Sequence, residues 1–261
     1  MRKYVIIAVA AIISALSLSS IAQADDIQSI TGKLTPTKRD KKKYKPAQVY
    51  VEILTQDLGT GSLPNQPPSA YNTKVNFPSN ARFNTKSTAR CKATEAELQN
   101  TTADQAVSLC GKKSVVSKGS NLPSDPPGRN HATGTSAWVT ADFGVVVGQI
   151  PVQVTALNGH DKNTIFLHSY APSANNTSIL VGKLKKGPKG YGQQLDVTIP
   201  PLLAGAISRF TTTVKKGKYV QARCKKKNEK WQAITKFDNH STTSDDYKTK
   251  CKQKKSKKKK K

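Results

Sequence analysis

The chain ends in CKQKKSKKKKK, which places eight lysines in the ten residues after Cys251. They are Lys252, Lys254, Lys255, Lys257, Lys258, Lys259, Lys260 and Lys261. Lysine is a compact point charge without the bidentate fork of arginine, so such a block offers loose, sequence-independent attraction to polyanions. Each lysine brought near a polyanion releases counterions, and affinity falls with salt. Mutual repulsion predicts that residues 252–261 are disordered. Further lysines cluster at 41–43, 183–189, 215–218 and 225–227. These four clusters fall in predicted turns, and the turns of a sandwich gather at its two ends. Ordinary solvation explains any single basic loop. It explains less well a lysine tail with no acid in it.

Other residues that can do chemistry form no complete motif. G-x-S-x-G, H-E-x-x-H and C-x-x-C are all missing from the sequence. Gly182 and Gly187 have the Walker spacing, but Pro188 stands where the lysine is needed and no helix is predicted to follow. The segment reads as a basic turn. Asp142-Phe143-Gly144 resembles a kinase triplet without the catalytic loop that gives it meaning. His131, His160, His168 and His240 have no partner in any recognisable pattern. Glu52 lies on the polar face of its strand, Glu95 and Glu97 read as helix caps, and Asp245-Asp246 falls in a loop. No pair of carboxylates is placed for glycoside hydrolysis. No catalytic, cofactor or metal residue is expected. Aromatics make up only 6% of the chain, which argues against dedicated base stacking.

Four cysteines, at 91, 110, 224 and 251, allow three pairings. The two local ones, Cys91–Cys110 and Cys224–Cys251, are expected, and each contributes about 3–4 kcal/mol in the chain-entropy account. The spacing is wrong for a structural zinc site.

Disulfides require an oxidising compartment, and the N-terminus is consistent with one. Arg2 and Lys3 precede an apolar run from Tyr4 to Leu18, and Ala22-Gln23-Ala24 gives a small-x-small cleavage pattern. Residues 1–24 read as a secretory signal, with an uncleaved anchor as the rival. The formal charge of +27 becomes +25 once Arg2 and Lys3 leave with the signal. An excess of this size argues for anionic partners.

About 237 residues then have to position these groups. Only 36% of the chain is hydrophobic, with few helix formers and 14 Pro and 16 Gly as punctuation. Val49, Val51 and Ile53 alternate with Tyr50 and Glu52, as a half-buried strand does. Trp231, Ala233, Thr235 and Phe237 share one face of another strand. Ile150, Val152, Val154 and Ala156 read as one face of a third. TKVNFPSNARFN is extended and interrupted at Pro78. Asn158-Gly159 and Lys216-Gly217 are predicted turns. The helical exception is short: Thr94 and Glu97 form a capping box, and ADQAVSLC follows, so a bridged helical insertion is expected at about 91–111. The whole reads as an all-β, two-sheet β-sandwich (jelly-roll or Ig-like) over residues 25–251.

The segments KLTPTK, KPAQVYVEI and VNFPSNARFN resemble a family of uncharacterised exported β-rich bacterial proteins. The Cys91…Cys110 segment with its trailing SVVSKGS also fits, as do VTALNG, LDVTIPP and Cys224…Trp231…Cys251. The resemblance covers most of the chain after the signal. It implies export and a β fold, and no particular activity.

The expectation is therefore a non-enzymatic secreted or cell-envelope protein without a cofactor. Its partner would be an anionic surface polymer: a wall polymer, an acidic polysaccharide or an anionic lipid, with extracellular nucleic acid as another polyanion. The alternative is a secreted carbohydrate-binding module, with Trp138, Tyr170 and Tyr191 as its aromatics, or a hydrolase whose site is built from separated loops.

Overall fold

The computed structural model describes residues 27–56, 68–117, 136–140, 146–172, 175–200 and 207–254. The segment read as a signal and most of the lysine tail lie outside them. In chain order the strands are β1 (Ile27–Thr35), β2 (Lys38–Arg39), β3 (Lys45–Gln56), β4 (Ala70–Pro78) and β5 (Ala81–Phe83). Two short helices follow, α1 (Glu95–Leu98) and α2 (Ala103–Cys110). Next come β6 (Ser136–Thr140), β7 (Val146–Pro151), β8 (Gln153–Asn158), β9 (Thr164–Ala171) and β10 (Asn176–Lys186). The chain continues through β11 (Tyr191–Thr198), β12 (Ile207–Ala222), β13 (Asn228–Phe237), β14 (Thr242–Lys250) and β15 (Lys252–Gln253).

The fold is a β-sandwich with a helical insertion. One sheet has the order β1-β3-β12-β6-β7, with β5 also paired to β12, and the other has the order β14-β13-β4-β11-β10-β9-β8. Neighbours within both sheets are antiparallel. Alternation places Val49, Val51 and Ile53 of β3 and Trp231 and Ala233 of β13 in one core between the sheets. The sheets nearly join at both edges. On one side β7 passes to β8 through Val152 alone. On the other, the Ile30 amide of β1 donates to Asp245 Oδ2 of β14 at 2.8 Å. Trp231 reaches across this edge and lies so close to Gly32 that a Cβ there would meet its ring at 2.2 Å. Gly32 therefore supplies the space that the indole fills.

The helical insertion packs on the outer face of the second sheet. Leu98 and Ala106 meet Leu157, Phe166 and Ile179 there. Strand β8 from Val154 to Asn158 and β9 from Thr164 to His168 are thus buried on both faces, and only the second half of β10 returns to alternation, with Lys183 and Lys185 exposed. Cys91–Cys110 closes the insertion, and Thr94/Glu97 and Thr102/Gln105 form capping boxes at α1 and α2.

Four sequence expectations are corrected. Asp245-Asp246 are not in a loop: they lie on β14, paired with Ala233 and Gln232. Ile150 and Val154 do not share a strand: β7 ends at Pro151 and β8 begins at Gln153 in the other sheet. Pro151 has no amide to extend the ladder. Lys216-Gly217 is not a turn. Gly217 pairs with Ala47 between two register shifts, so the segment is a bulge inside the sixteen-residue β12. Lys183 and Lys185 lie on β10, and the turn begins only after Lys186.

Candidate anion-binding end

Strand polarity sets the site. At one end of the second sheet β14 finishes at Lys250 opposite Asn228, the first residue of β13. β4 finishes at Pro78 opposite Tyr191, the first residue of β11. At the same end of the first sheet, Lys45 opens β3 opposite Ala222, the last residue of β12. Backbone hydrogen bonds stitch the two sheets together here. The Cys224 amide donates to the Asp40 carbonyl at 2.7 Å, and the Arg223 amide donates to the Asn80 carbonyl at 3.0 Å.

The C-terminal segment completes this knot. Cys251 is bonded to Cys224, and its amide donates to the Lys227 carbonyl at 2.9 Å. The ordered chain then runs past Cys251, because β15 pairs in parallel with β2, Lys252 opposite Lys38 and Gln253 opposite Arg39. The Lys252 and Lys254 amides donate to the Thr37 and Arg39 carbonyls at 3.0 and 2.8 Å. The carbonyls of Thr37 and Arg39 and a disulfide anchor give the first tail residues a ladder that charge alone would deny them. The disorder expected from residue 252 is thus corrected for residues 252–254, which carry β15. Lys255 and Lys257, Lys258, Lys259, Lys260 and Lys261 fall outside the described residues.

Beneath the knot lies a buried polar cluster. Arg39 and Glu229 form an ion pair whose side chains are each 2% exposed. Arg39 Nη1 also donates to the Leu34 carbonyl at 3.1 Å. Asn80 Nδ2 donates to Glu229 Oε1 at 3.1 Å and to the Lys226 carbonyl at 2.7 Å. Asn80 Oδ1 accepts the Lys225 and Lys226 amides at 3.1 and 3.3 Å. The basic loop 225–227 is therefore held by its own backbone. Beside it, the Arg82 and Arg223 guanidinium carbons sit 4.7 and 4.5 Å from the Tyr44 ring centre. Both cations use the same aromatic ring.

The charge of this end is one-sided. Segments 38–45, 223–230 and 248–254 hold fifteen Lys and Arg against two acids, Asp40 and Glu229. Both acids are engaged. Glu229 faces Arg39, and Asp40 Oδ1 accepts the Lys42 and Lys43 amides at 2.8 Å each. The Lys43 amide bond, then that of Lys42, holds the Asp40 carboxyl below the usual aspartate range. The lysines of these segments are exposed. The β10–β11 turn brings Lys186 and Lys189 to the same end. Gly192 approaches the Pro78 carbonyl so closely that a Cβ would lie 2.9 Å from it. Lys183 and Lys185 instead pair with Asp161 and Asp196 at 3.4 and 2.9 Å. Lys215, Lys216 and Lys218 sit on the bulge of β12, short of this end. Three of the basic stretches and the root of the tail thus share one surface.

The remaining chemical candidates are scattered. His168 is fully buried, with Nε2 at 3.0 Å from Thr101 Oγ1 and 3.1 Å from its carbonyl, which ties β9 to the helical insertion. His160 lies 3.4 Å from Asp161 on the surface. His240 occupies the β13–β14 turn with φ 65°. His131 is outside the described residues. Tyr170 of β9 donates to Asn175 Oδ1, whereas Tyr191 of β11 donates to Asp246 Oδ1 of β14. Burial, followed by the Asp246 bond, pushes the Tyr191 hydroxyl up to about 12. The two tyrosines do not share a groove. Among the described residues no group of three His, Cys, Asp or Glu is placed to hold a metal, and no helix is long and apolar enough to cross a membrane.

Sequence reasoning missed the Arg39–Glu229–Asn80 cluster. The available clue was the odd residue in each basic run: one arginine in TKRDKKK and one glutamate in KKKNEK. Comparison of the chain with protein-family models, curated proteins and solved structures finds no match. What this end does therefore rests on its geometry.

Proposed function

We propose that this is an exported, non-enzymatic envelope protein that holds anionic surface polymers against its basic end. The observation that carries the reading is the gathering of loops 38–45 and 225–227 with the root of the lysine tail around the Cys224–Cys251 bond. A rigid, one-signed surface focuses counterions and raises the local concentration of a polyanion. Lysine in place of arginine favours a loose grip on phosphate or carboxylate groups over recognition of one motif. The remaining lysines of the tail add to the charge that such a polymer would meet. The two disulfides suit the oxidising compartment that export supplies.

Binding to isolated cell walls across a salt series tests this reading. Three proteins are compared: the full chain, a chain ending at Lys254, and the full chain with Lys225, Lys226 and Lys227 changed to alanine. The expected result is binding that weakens with salt in all three. By analogy with other linear polyanions, the triple variant should lose about two to three units of log–log salt slope. Salt-independent binding, or a triple variant with an unchanged slope, overturns the proposal.

A further inference from the structure

Arginine is the minority cation of this chain, seven of its 43 Lys and Arg. Where a point charge is enough the sequence uses lysine, so an arginine among lysines points to a use for its planar fork. Arg39 spends its fork on Glu229 and the Leu34 carbonyl. Arg82 and Arg223 pair with no carboxylate among the described residues.

Strand pairing brings these two together on one face of the first sheet. Arg82 of β5 lies opposite Gln221 of β12, and Arg223 follows Gln221 by two residues, so the side chains leave the same side. Lys45 opens β3 opposite Ala222, which sets Tyr44 beside Arg223. The Tyr44 ring centre is 4.7 and 4.5 Å from the two guanidinium carbons, so they are no more than about 9 Å apart. The Asn80 carbonyl accepts the Arg223 amide at 3.0 Å, and the neighbouring Ser79 carbonyl accepts the Tyr44 hydroxyl at 3.5 Å. Arg82 Nη2 donates to Gln221 Oε1, and Gln221 Nε2 donates to the Lys218 carbonyl at 3.1 Å. Arg82 is exposed. Arg223 is half-buried, and its enclosed Nε has no hydrogen-bond partner among the described residues.

Two forks held on one ring repel each other, and no acid among the described residues offsets them. The cluster is thus a framed place for an anion. A carboxylate has two oxygens in one plane, and one fork saturates it. A phosphoryl group carries up to two charges and three acceptor oxygens, enough to meet two forks at once.

We propose that Arg82, Arg223 and Tyr44 form a phosphate-reading site, through which the basic end selects phosphate-bearing polymers over polycarboxylates. This rests on the polyanion reading above. The surrounding lysines attract either kind of polymer, and the arginine pair adds the choice. Tyr44 is a positioning residue: its ring holds both forks before the polymer arrives, so less side-chain freedom is lost on binding.

The test is calorimetric titration of the full, disulfide-bonded chain with inorganic polyphosphate and with polyglutamate of equal charge number, across a salt series. Charge spacing alone gives polyphosphate some advantage. The ratio of the two affinities is therefore compared between the parent and Arg82→Lys/Arg223→Lys, which keeps both charges and removes both forks. The expected result is salt-dependent binding of both polymers, with the ratio falling about tenfold in the double variant, the worth of one charge-assisted hydrogen bond. If the double variant does not fold, Arg82→Lys, at an exposed position, decides. A parent that does not prefer polyphosphate, or a ratio unchanged in the variant, overturns the proposal and leaves the polyanion reading standing. Binding of neither polymer overturns that reading and this proposal with it. Inorganic phosphate and vesicles of phosphatidic acid, at the same phosphorus concentration, serve as competitors. Each should displace bound polyphosphate at least about tenfold less well than free polyphosphate does. Equal displacement by either assigns the site to free phosphate or to a lipid headgroup and overturns the polymer.

Discussion

Replacing Glu229 with alanine removes the counter-ion from beneath the basic end. Arg39 then keeps its 3.1 Å bond to the Leu34 carbonyl, but its Nε has no partner and its side chain is 2% exposed. Asn80 Nδ2 also loses its carboxylate acceptor. Stranding one member of a buried pair costs about 3–5 kcal/mol. For a domain of this length, that corresponds to a fall of about 6–20 °C in Tm. The double variant Arg39→Met with Glu229→Leu removes both charges and keeps apolar volume, so it should lie within about 1 kcal/mol of the parent or above it. Urea unfolding followed by tryptophan fluorescence reads both values, because Trp231 sits two residues from Glu229. A Glu229→Ala cost below about 1 kcal/mol would refute the reasoning, since it would mean that water reaches Arg39. A double variant as unstable as the single one would refute it too, by showing that the cost comes from lost packing. The double variant also separates support from charge. If it is stable yet binds cell walls with a shallower salt slope, the pair positions the lysines above it.

Gly32→Ala should cost about 1–3 kcal/mol by overpacking against Trp231. Trp231→Phe in the same chain should recover part of that cost, and a thermal-melt double-mutant cycle that shows strict additivity counts against the contact. Replacing Cys224 and Cys251 together by serine opens a loop with a sequence separation of 27 and should cost about 3.5 kcal/mol in urea unfolding. Amide exchange should accelerate at Lys252 and Lys254 in that variant, and unchanged protection there would mean that the β2–β15 ladder stands without the bond. Burial alone would raise the Asp196 carboxyl, but hydrogen bonds from Asn72 and Lys185 and the charges of Lys185 and Lys74 outweigh it and hold the group below its ordinary 3.8. With the folded value depressed, its contribution is present above 3.8 and lost as pH falls through the folded value. Asp196→Asn should therefore flatten the acid limb of the stability curve, and an unchanged limb contradicts the assignment.

Where one face of a strand is buried, period two was enough to read it. Val49, Val51 and Ile53 stand as the alternation required, and so do Trp231 and Ala233. Thr94 with Glu97 marked a helix start because the cap is a local bond. The bulge at Gly217 was misread because a Lys-Gly pair suits a turn and a bulge equally, and only the facing Ala47 decides between them. The split at Val152 was hidden because both halves are apolar, and which sheet each joins depends on partners far away in sequence. The basic end was half legible. Charge runs show in the sequence, but their convergence depends on strand polarity, and the Arg39–Glu229 pair joins residues 190 positions apart. The cavity of about 100 Å3 between the sheets leaves no periodic mark, because an underfilled core carries the same pattern of residues as a filled one.

The position of the ion pair follows from the charge above it. Fifteen cations crowded around one end repel each other, and that repulsion favours the unfolded chain. Acids placed among the lysines would relieve it but would also cancel the positive field of this end. The fold does something else. It keeps Glu229 below the surface, where its charge is spent on Arg39, and it uses Asp40 to brace the backbone of loop 41–43. The restraint on the basic segments then comes from groups whose strength does not depend on the lysine charges: a covalent bond, backbone amides and the Asn80 carboxamide. The exposed face is left with lysine cations that, among the described residues, pair with no carboxylate in loops 41–43 and 225–227. A merely solubilising surface has no need of such a frame, because mobile lysines keep a protein dissolved equally well. Holding them fixed against their own repulsion makes physical sense when a polyanion is to meet several of them at once.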